Sequence, residues 1–479
     1  MDYREFLHRK MHDTSMNGFE PVWMPDFLFP FQKSLVEWAL LKGRAAVFAD
    51  CGLGKTPIQL TWAENIARKT GGRVLVVTPL AVSRQTEREA EKFGIDVRRS
   101  RDGSLNGSNI VVTNYERLHY FDASDFVAVV CDESSILKSF TGAIRKQITR
   151  FMNKLPYRLL CTATAAPNDY VELGTSSEAL GELPHSEMLK KFFRQLDDKG
   201  QKRERSKQEE AETVIAHDNN YFQKLAYRVA QTIGQWRLKH HAVLSFWRWV
   251  ASWARACRMP SDLGFDDNGF VLPELSERDH IIKPQTPKDG FLFNVPAFGM
   301  QEEREERKRT LTQRCDYASS LVNHNRPAVV WCQMNAEGDL LEKTIQDSRQ
   351  IAGRTPDEEK EELYDAFASG ELRVLVTKSK IAGWGLNWQH CSHVVTFATH
   401  SYEQYYQSVR RCYRFGQKNP VTVDAIATEG EVRVLANMRS KAEKAAAMFD
   451  YLVKEMNNAT KVDIENNHVN QTEVPKWLS

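Results

Sequence analysis

Between residues 45 and 162, short unbroken apolar runs alternate with stretches of helical periodicity. Ala45–Ala49, Val74–Thr78, Ile110–Thr113, Val127–Cys131 and Arg158–Thr162 read as strands, with Ala81–Phe93 as one of the helices between them. A strand covered on both faces shows as a continuous apolar run, and alternation with helices implies parallel pairing. The pattern therefore predicts a doubly wound α/β lobe whose functional loops gather at the C-terminal ends of its strands. An amphipathic segment from Phe29 to Leu41, closed by Lys42-Gly43, precedes the first strand. From about residue 311 the alternation resumes: Ala328–Cys332, Arg373–Thr377, His393–Phe397 and Val421–Ala427 as strands, Asn335–Ile345, Pro356–Ser369 and Tyr402–Arg414 as helices, and a terminal helical segment over Val432–Met456. Thr355-Pro356-Asp357-Glu358 signals a helix start, with Thr355 as cap, proline in the first turn and acids at the positive end of the dipole.

The alternation breaks over residues 185–310. A charged stretch, Lys199–Glu210, precedes a helix on which Phe246, Trp249, Val250 and Trp253 recur on one face, and a region punctuated by proline and glycine runs from Pro260 to Phe298. The aromatic face reads as core packing of a mainly helical insertion rather than as a base-stacking platform. The expected divisions are 1–184, 185–310 and 311–479, and no short repeat is visible.

Composition adds exclusions. A chain of 479 residues exceeds what one hydrophobic core holds, and 42% hydrophobic with 27% charged residues suits a folded enzyme. A net charge of +2 neither demands nor excludes nucleic acid, so any basic surface is local. The charged start Met1-Asp2-Tyr3-Arg4-Glu5 and the lack of a membrane-spanning apolar run lead us to expect a cytosolic protein without membrane contact. The eight cysteines form no C-x-x-C pair and mostly sit in apolar runs, so neither disulfides nor structural zinc are expected.

The candidate chemistry lies at the strand ends. Ala49-Asp50-Cys51-Gly52-Leu53-Gly54-Lys55-Thr56 leaves a strand and opens a helix. In that setting glycines let backbone N–H groups turn around phosphate oxygens, Lys55 reaches the outer phosphates, and Thr56 can ligate magnesium. Val129-Val130-Cys131-Asp132-Glu133-Ser134-Ser135 is an apolar strand ending in adjacent carboxylates; Asp132 is assigned to the metal and Glu133 to the attacking water. Leu160-Cys161-Thr162-Ala163-Thr164 runs into a small-residue loop able to sense the metal site. In Gln407–Gln417, Arg411 and Arg414 share one face if the segment is helical. Two guanidiniums on one face need an anion opposite, and a triphosphate would serve; an arginine reaching the γ-phosphate is worth roughly a thousandfold or more in rate.

Taken together, these stretches resemble the superfamily 2 helicase-like ATPases, and within them the Swi/Snf-like DNA translocases of the compact bacteriophage type. Phe31-Gln32 looks like the adenine-reading Q motif, and Ala49–Thr56 like motif I in its A-x-x-G-x-G-K-T form. Val77-Thr78-Pro79-Leu80 is similar to motif Ia, Thr113-Asn114-Tyr115-Glu116 to motif Ib, and Thr162-Ala163-Thr164 with Pro167 and Asn168 to motif III. Asp132-Glu133-Ser134-Ser135 matches the D-E-x-H box except that Ser135, whose hydroxyl reaches less far and carries no imidazole charge, replaces histidine. Val329–Gln333 resembles motif IV, Thr377–Asn387 motif V, and Gln407–Gln417 the Q-x-x-x-R-x-x-R-x-G-Q form of motif VI.

The resemblance implies two RecA-like doubly wound parallel-sheet lobes with a mainly helical insertion between them. It also implies ATP and Mg²⁺ as cofactors. Nucleotide would be held by Gln32, Gly52, Gly54, Lys55, Thr56 and Gly385, metal by Thr56 and Asp132, with Lys55, Glu133, Arg411 and Arg414 catalytic. Nucleic acid, with double-stranded DNA the expected track, would be contacted by Thr78, Pro79, Thr113, Asn114, Gln333, Thr377 and Lys378. A monomer is expected, in the bacterial host's cytoplasm if phage-encoded, with a protein partner conceivable through residues 185–310. A strand-separating DNA or RNA helicase and a nucleic-acid-binding scaffold with a weak ATPase remain open alternatives.

Overall fold

Apolar strands flanked by helices build two separate parallel sheets in the computed structural model, which describes residues 16–105, 107–138, 142–166, 170–196, 232–233, 236–285, 300–382 and 386–469. One compact unit runs to Asp266 and takes in the chain from Lys444 onward; the second spans Asp267–Glu443.

The strands of the first unit are β1 (Arg44–Ala49), β2 (Val74–Thr78), β3 (Val97–Arg99), β4 (Ile110–Asn114), β5 (Ala128–Asp132), β6 (Tyr157–Cys161), β7 (Phe193–Gln195), β8 (Thr232–Ile233), β9 (Trp236–Leu238) and β10 (Ala254–Cys257). Seven of them form a wholly parallel sheet in the order β10-β1-β6-β5-β2-β4-β3. This order sets β6 between the strand that feeds the glycine loop and the one that ends in Asp132. All five strands expected here are present. The β7, β9 and β8 segments form a small antiparallel sheet.

The Val243–Trp253 helix buries Phe246, Trp249, Val250 and Trp253, and their rings pack with Phe192 and Phe193 in the first unit's core. The face is core, as its periodicity implies. Leu452, Val453 and Met456, from the terminal helix Val432–Val469, belong to the same core.

In the second unit β11 (Leu275–Ile282), β12 (Ala328–Trp331), β13 (Ser348–Ile351), β14 (Val374–Thr377), β15 (His393–Phe397) and β16 (Val421–Thr428) form a parallel sheet in the order β11-β16-β15-β12-β14-β13. Both sheets carry helices between parallel strands, so the expected pair of doubly wound RecA-like lobes is found. A buried ion pair, Arg314 Nη1 to Glu337 Oε1 at 2.6 Å, sits beneath the β12 end, where the other Glu337 oxygen accepts from the N–H groups of Gln333 and Met334.

Three expectations are corrected. Residues 185–310 are not one helical block between the lobes: β10 extends the first sheet and β11 the second, and the unit boundary falls at 266/267. Neither strand is an apolar run. Polar β11 is an edge strand, fastened where His280 Nε2 lies 2.8 Å from Asp424 Oδ1 on β16 and Tyr317 Oη 2.9 Å from His280 Nδ1. The segment expected as one helix over Tyr402–Arg414 is helical only over Tyr402–Val409. The Thr355 hydroxyl accepts from the Ala352 N–H, and the next helix starts at Asp357. The charged stretch 199–210 lies outside the described residues.

Candidate functional site

The glycine loop leaves β1 at Ala49 and turns on two left-handed glycines, Gly52 (φ 92°) and Gly54 (φ 75°), into the Lys55–Thr70 helix. Only glycine takes these angles without steric cost. Pro57 falls in the first helical turn, where its missing N–H removes no helical bond. The loop is drawn tight by the Leu53 N–H donating to Asp50 O (3.3 Å) and Cys51 N–H to Asp50 Oδ1 (2.6 Å). Gln32 Nε2 donates to Leu53 O (3.0 Å) while its Oε1 accepts from Phe29 N–H (3.0 Å), so the glutamine ties the preceding helix to the loop. A Cβ on Gly54 would stand 2.2 Å from that Nε2. The Lys55 ammonium curls back onto the carbonyls of Ala49 (3.1 Å) and Asp50 (3.4 Å).

Across β6, the end of β5 presents the acidic pair. Gln59 Nε2 donates to Asp132 Oδ1 at 2.6 Å, and the Tyr115 hydroxyl donates to Asp132 O at 2.5 Å. Burial pushes the Asp132 carboxyl up to about 6, and Glu133 beside it pushes the same way, against Gln59 and Lys55. Burial likewise raises the Tyr115 phenol well above its ordinary value, so it stays a donor. Glu133 takes a left-handed φ of 51°, one of two non-glycine residues with positive φ among the described residues. Its Oε2 lies 3.4 Å from Thr162 Oγ1, and that oxygen accepts from Thr164 N–H (3.1 Å). The β6 loop thus touches the acidic pair directly. The buried Ser135 hydroxyl has no partner, nor have those of Ser134 and Thr164.

This donor set fits a magnesium nucleotide. Among the described residues no cluster of three or more His, Cys, Asp or Glu could cage a metal. Magnesium is usually held by one or two carboxylates with substrate phosphates and water, and Asp132 with Thr56 supplies that much. The open glycine cradle, an ammonium whose bonds go to backbone carbonyls, and buried hydroxyls lacking partners suit phosphate oxygens and ordered water.

In the second unit Ser401 caps the Tyr402–Val409 helix, accepting from Gln404 N–H (3.3 Å). Arg411 is almost wholly buried: Nε donates to Gln407 O (2.9 Å), Nη2 to Gln407 Oε1 (2.6 Å) and Nη1 to Leu386 O (3.3 Å). Arg414, half-buried, donates from Nη1 to the same Leu386 carbonyl (3.0 Å). The two guanidiniums meet although no helix joins them. Gly385 lies outside the described residues, as do Pro167 and Asn168.

The nucleic-acid candidates divide. Thr78 and Asn114 are register partners at the ends of β2 and β4, and Thr377 ends β14 beside β12. The hydroxyls of Thr78, Thr113 and Thr377 are buried and donate to main-chain carbonyls: Pro79 O (3.1 Å), Ser100 O (3.0 Å) and Ile351 O (3.0 Å). Asn114 Oδ1 accepts from Arg117 N–H (3.1 Å), and Gln333 Nε2 is buried without a partner. Pro79 is half-buried, and Lys378 bonds Asn335 Oδ1 (2.6 Å) on the surface.

Two residues escaped assignment from sequence. Gln59 lies one helical turn beyond Lys55, a spacing that would have revealed their shared face. Tyr115 lies within Thr113–Glu116, but nothing local in the sequence shows that its hydroxyl reaches β5.

Comparison with known proteins agrees with this geometry. Residues 29–173 match the family model of DEAD/DEAH box helicases, and residues 309–416 that of the helicase conserved C-terminal domain. The mouse (Mus musculus) protein named DNA annealing helicase and endonuclease ZRANB3 is 28% identical over 180 residues, 34% of this chain and 17% of that protein's length. No described helix is long and apolar enough to cross a membrane. With a glycine loop and acidic pair on one sheet, an arginine pair beside the other, and both halves matched in order, the chain belongs to the superfamily 2 helicase-like ATPases.

Proposed function

We propose that the protein is an ATP-driven motor that moves along double-stranded DNA. The observation that carries the hydrolytic half of this reading is the cluster at the ends of β1, β6 and β5, where Gln32 and Lys55 fasten to carbonyls of the glycine loop while Gln59 bonds Asp132 and Thr162 meets Glu133. Gln32 orients the loop against the base, and the loop N–H groups with Lys55 bind the β- and γ-phosphates. Asp132 and Thr56 hold magnesium, which when bound neutralises charge developing on the phosphates. Glu133 takes the proton of the attacking water.

In the proposed cycle the two lobes close on the nucleotide and Arg414 meets the γ-phosphate, with Arg411 held beneath it by Gln407. Closure and reopening then advance the lobes along the backbone. Contacts made through strand-end N–H groups and Lys378 would go to phosphates, giving steep salt dependence and little sequence preference. DNA as the track is supported by the name of the mouse relative, and its duplex form by the Swi/Snf-like pattern of Gln407–Gln417.

Triplex displacement measured beside fork unwinding tests the reading. A duplex translocase strips a third strand without separating a fork. Fork unwinding without triplex displacement would replace it with a strand-separating helicase.

A further inference from the structure

The Tyr115 phenol reaches the backbone of the acidic pair from a strand two places away in the sheet. The residue comes directly after Thr113-Asn114, at the end of β4, and opens the turn Tyr115–Tyr120, which Asn114 caps by accepting from the Arg117 N–H. Its ring is 2% exposed and packs in the core of the first unit. The hydroxyl crosses the end of β2 to donate to Asp132 O on β5. Pairing of β5 with β2 ends at Cys131–Val77, so this carbonyl lies beyond their ladder and the phenol supplies its hydrogen bond.

The position of that carbonyl governs the residue after it. A peptide unit is planar, so fixing the Asp132 C=O also fixes the plane that carries the Glu133 N–H. Glu133 then turns into a left-handed conformation that a non-glycine residue keeps only when its surroundings hold it there. At the entry to this turn Asp132 is held through its carboxylate by Gln59 (2.6 Å) and by pairing with Cys161 on β6, and the Tyr115 bond is the contact that reaches its carbonyl from the β4 side.

We infer that Tyr115 is a positioning residue through which nucleic acid held at the end of β4 sets the Glu133 carboxylate for hydrolysis. The inference rests on the reading of the chain as a nucleic-acid-stimulated ATPase. A backbone shift at Thr113-Asn114 moves the next residue's ring, and one hydrogen bond carries that shift to the peptide before Glu133. The connection lies wholly within the first unit, so it can act on water activation before any arginine arrives.

The test is Tyr115→Phe, which keeps the ring and removes only the donor. The DNA-stimulated kcat should fall roughly fivefold to tenfold, the scale of one lost hydrogen bond. The KM for ATP and the half-saturating duplex concentration should stay within about twofold of wild type, because neither ligand touches the phenol. A purely structural role would instead lower the fraction of molecules that bind a fluorescent ATP analogue and leave kcat per active site intact, which would overturn the inference. Hydrogen–deuterium exchange supplies a second readout that needs no turnover: duplex DNA should change exchange at residues 133–136 in wild type but not in Tyr115→Phe, and an identical change in both would also overturn it. A wild-type rate that no nucleic acid raises would overturn the underlying reading and the inference with it.

Discussion

Replacing Gly54 by alanine probes the junction of loop, lysine helix and Gln32 in a single step. Gly54 sits at φ 75°, ψ 47°, a left-handed conformation that costs a residue with a Cβ about 1–2 kcal/mol. The added methyl would also stand 2.2 Å from Gln32 Nε2 and 3.2 Å from Pro57 Cγ. Gln32 can swing away, because the clash is with the end of a flexible side chain. Doing so gives up its bonds to Leu53 O and from Phe29 N–H, together worth about 1–2 kcal/mol. The sum, about 2–4 kcal/mol, corresponds to roughly thirtyfold to several hundredfold weaker nucleotide binding. Fluorescence anisotropy of a labelled ATP analogue with magnesium measures it directly. Gln32→Ala alone should weaken binding less, and the double variant should be less than additive, since the clash vanishes with the amide. Binding of Gly54→Ala within about threefold of wild type, or full additivity in the double variant, would refute the reasoning.

The same geometry carries other expected outcomes. Arg414→Ala should keep nucleotide affinity while stimulated hydrolysis falls by roughly a thousandfold. Arg411→Ala should lower thermal stability as well, by about 1–3 kcal/mol, because Gln407 Oε1 loses its buried donor; calorimetry separates the two. Gln59→Leu, which frees the Asp132 carboxylate from its orienting amide, should raise the magnesium concentration needed for nucleotide binding by roughly tenfold, read by titrating magnesium against the labelled nucleotide. Asp132, raised from 3.8 to about 6 by burial and Glu133, binds its proton more tightly folded than unfolded. Its contribution therefore makes the metal-free protein less stable as pH rises through that window, and Asp132→Asn should remove this slope from denaturation midpoints measured against pH.

How much of this was legible in the chain depended on whether a residue's role is local. The central strands were readable because both faces are covered and every position is apolar or nearly so, as in Val74–Thr78. The glycine loop and acidic pair were readable because their chemistry is written in consecutive residues. By contrast, β11 reads Leu-Ser-Glu-Arg-Asp-His-Ile-Ile, and its place in a sheet comes from an edge position and from Asp424, far along the chain. Gln407–Gln417 keeps helical spacing throughout, yet the helix stops at Val409, where the Leu386 carbonyl and Gly416, at φ 89°, favour a turn. The threonines of the strand-end motifs looked available for phosphate; burial commits their hydroxyls to backbone carbonyls instead. With Ser135 where histidine is usual, the contact between the acidic pair and the β6 loop is made by Thr162, at the end of the neighbouring strand.

The most direct measurement is steady-state ATP hydrolysis by the wild-type chain and by Glu133→Gln, each with duplex DNA, single-stranded DNA, double-stranded RNA and no nucleic acid. A motor driven on duplex DNA with Glu133 as its base requires that duplex DNA raise the wild-type rate most, that added salt remove the stimulation, and that Glu133→Gln lose about a hundredfold or more while still binding nucleotide. Hydrolysis indifferent to every nucleic acid, or undiminished in Glu133→Gln, would contradict it.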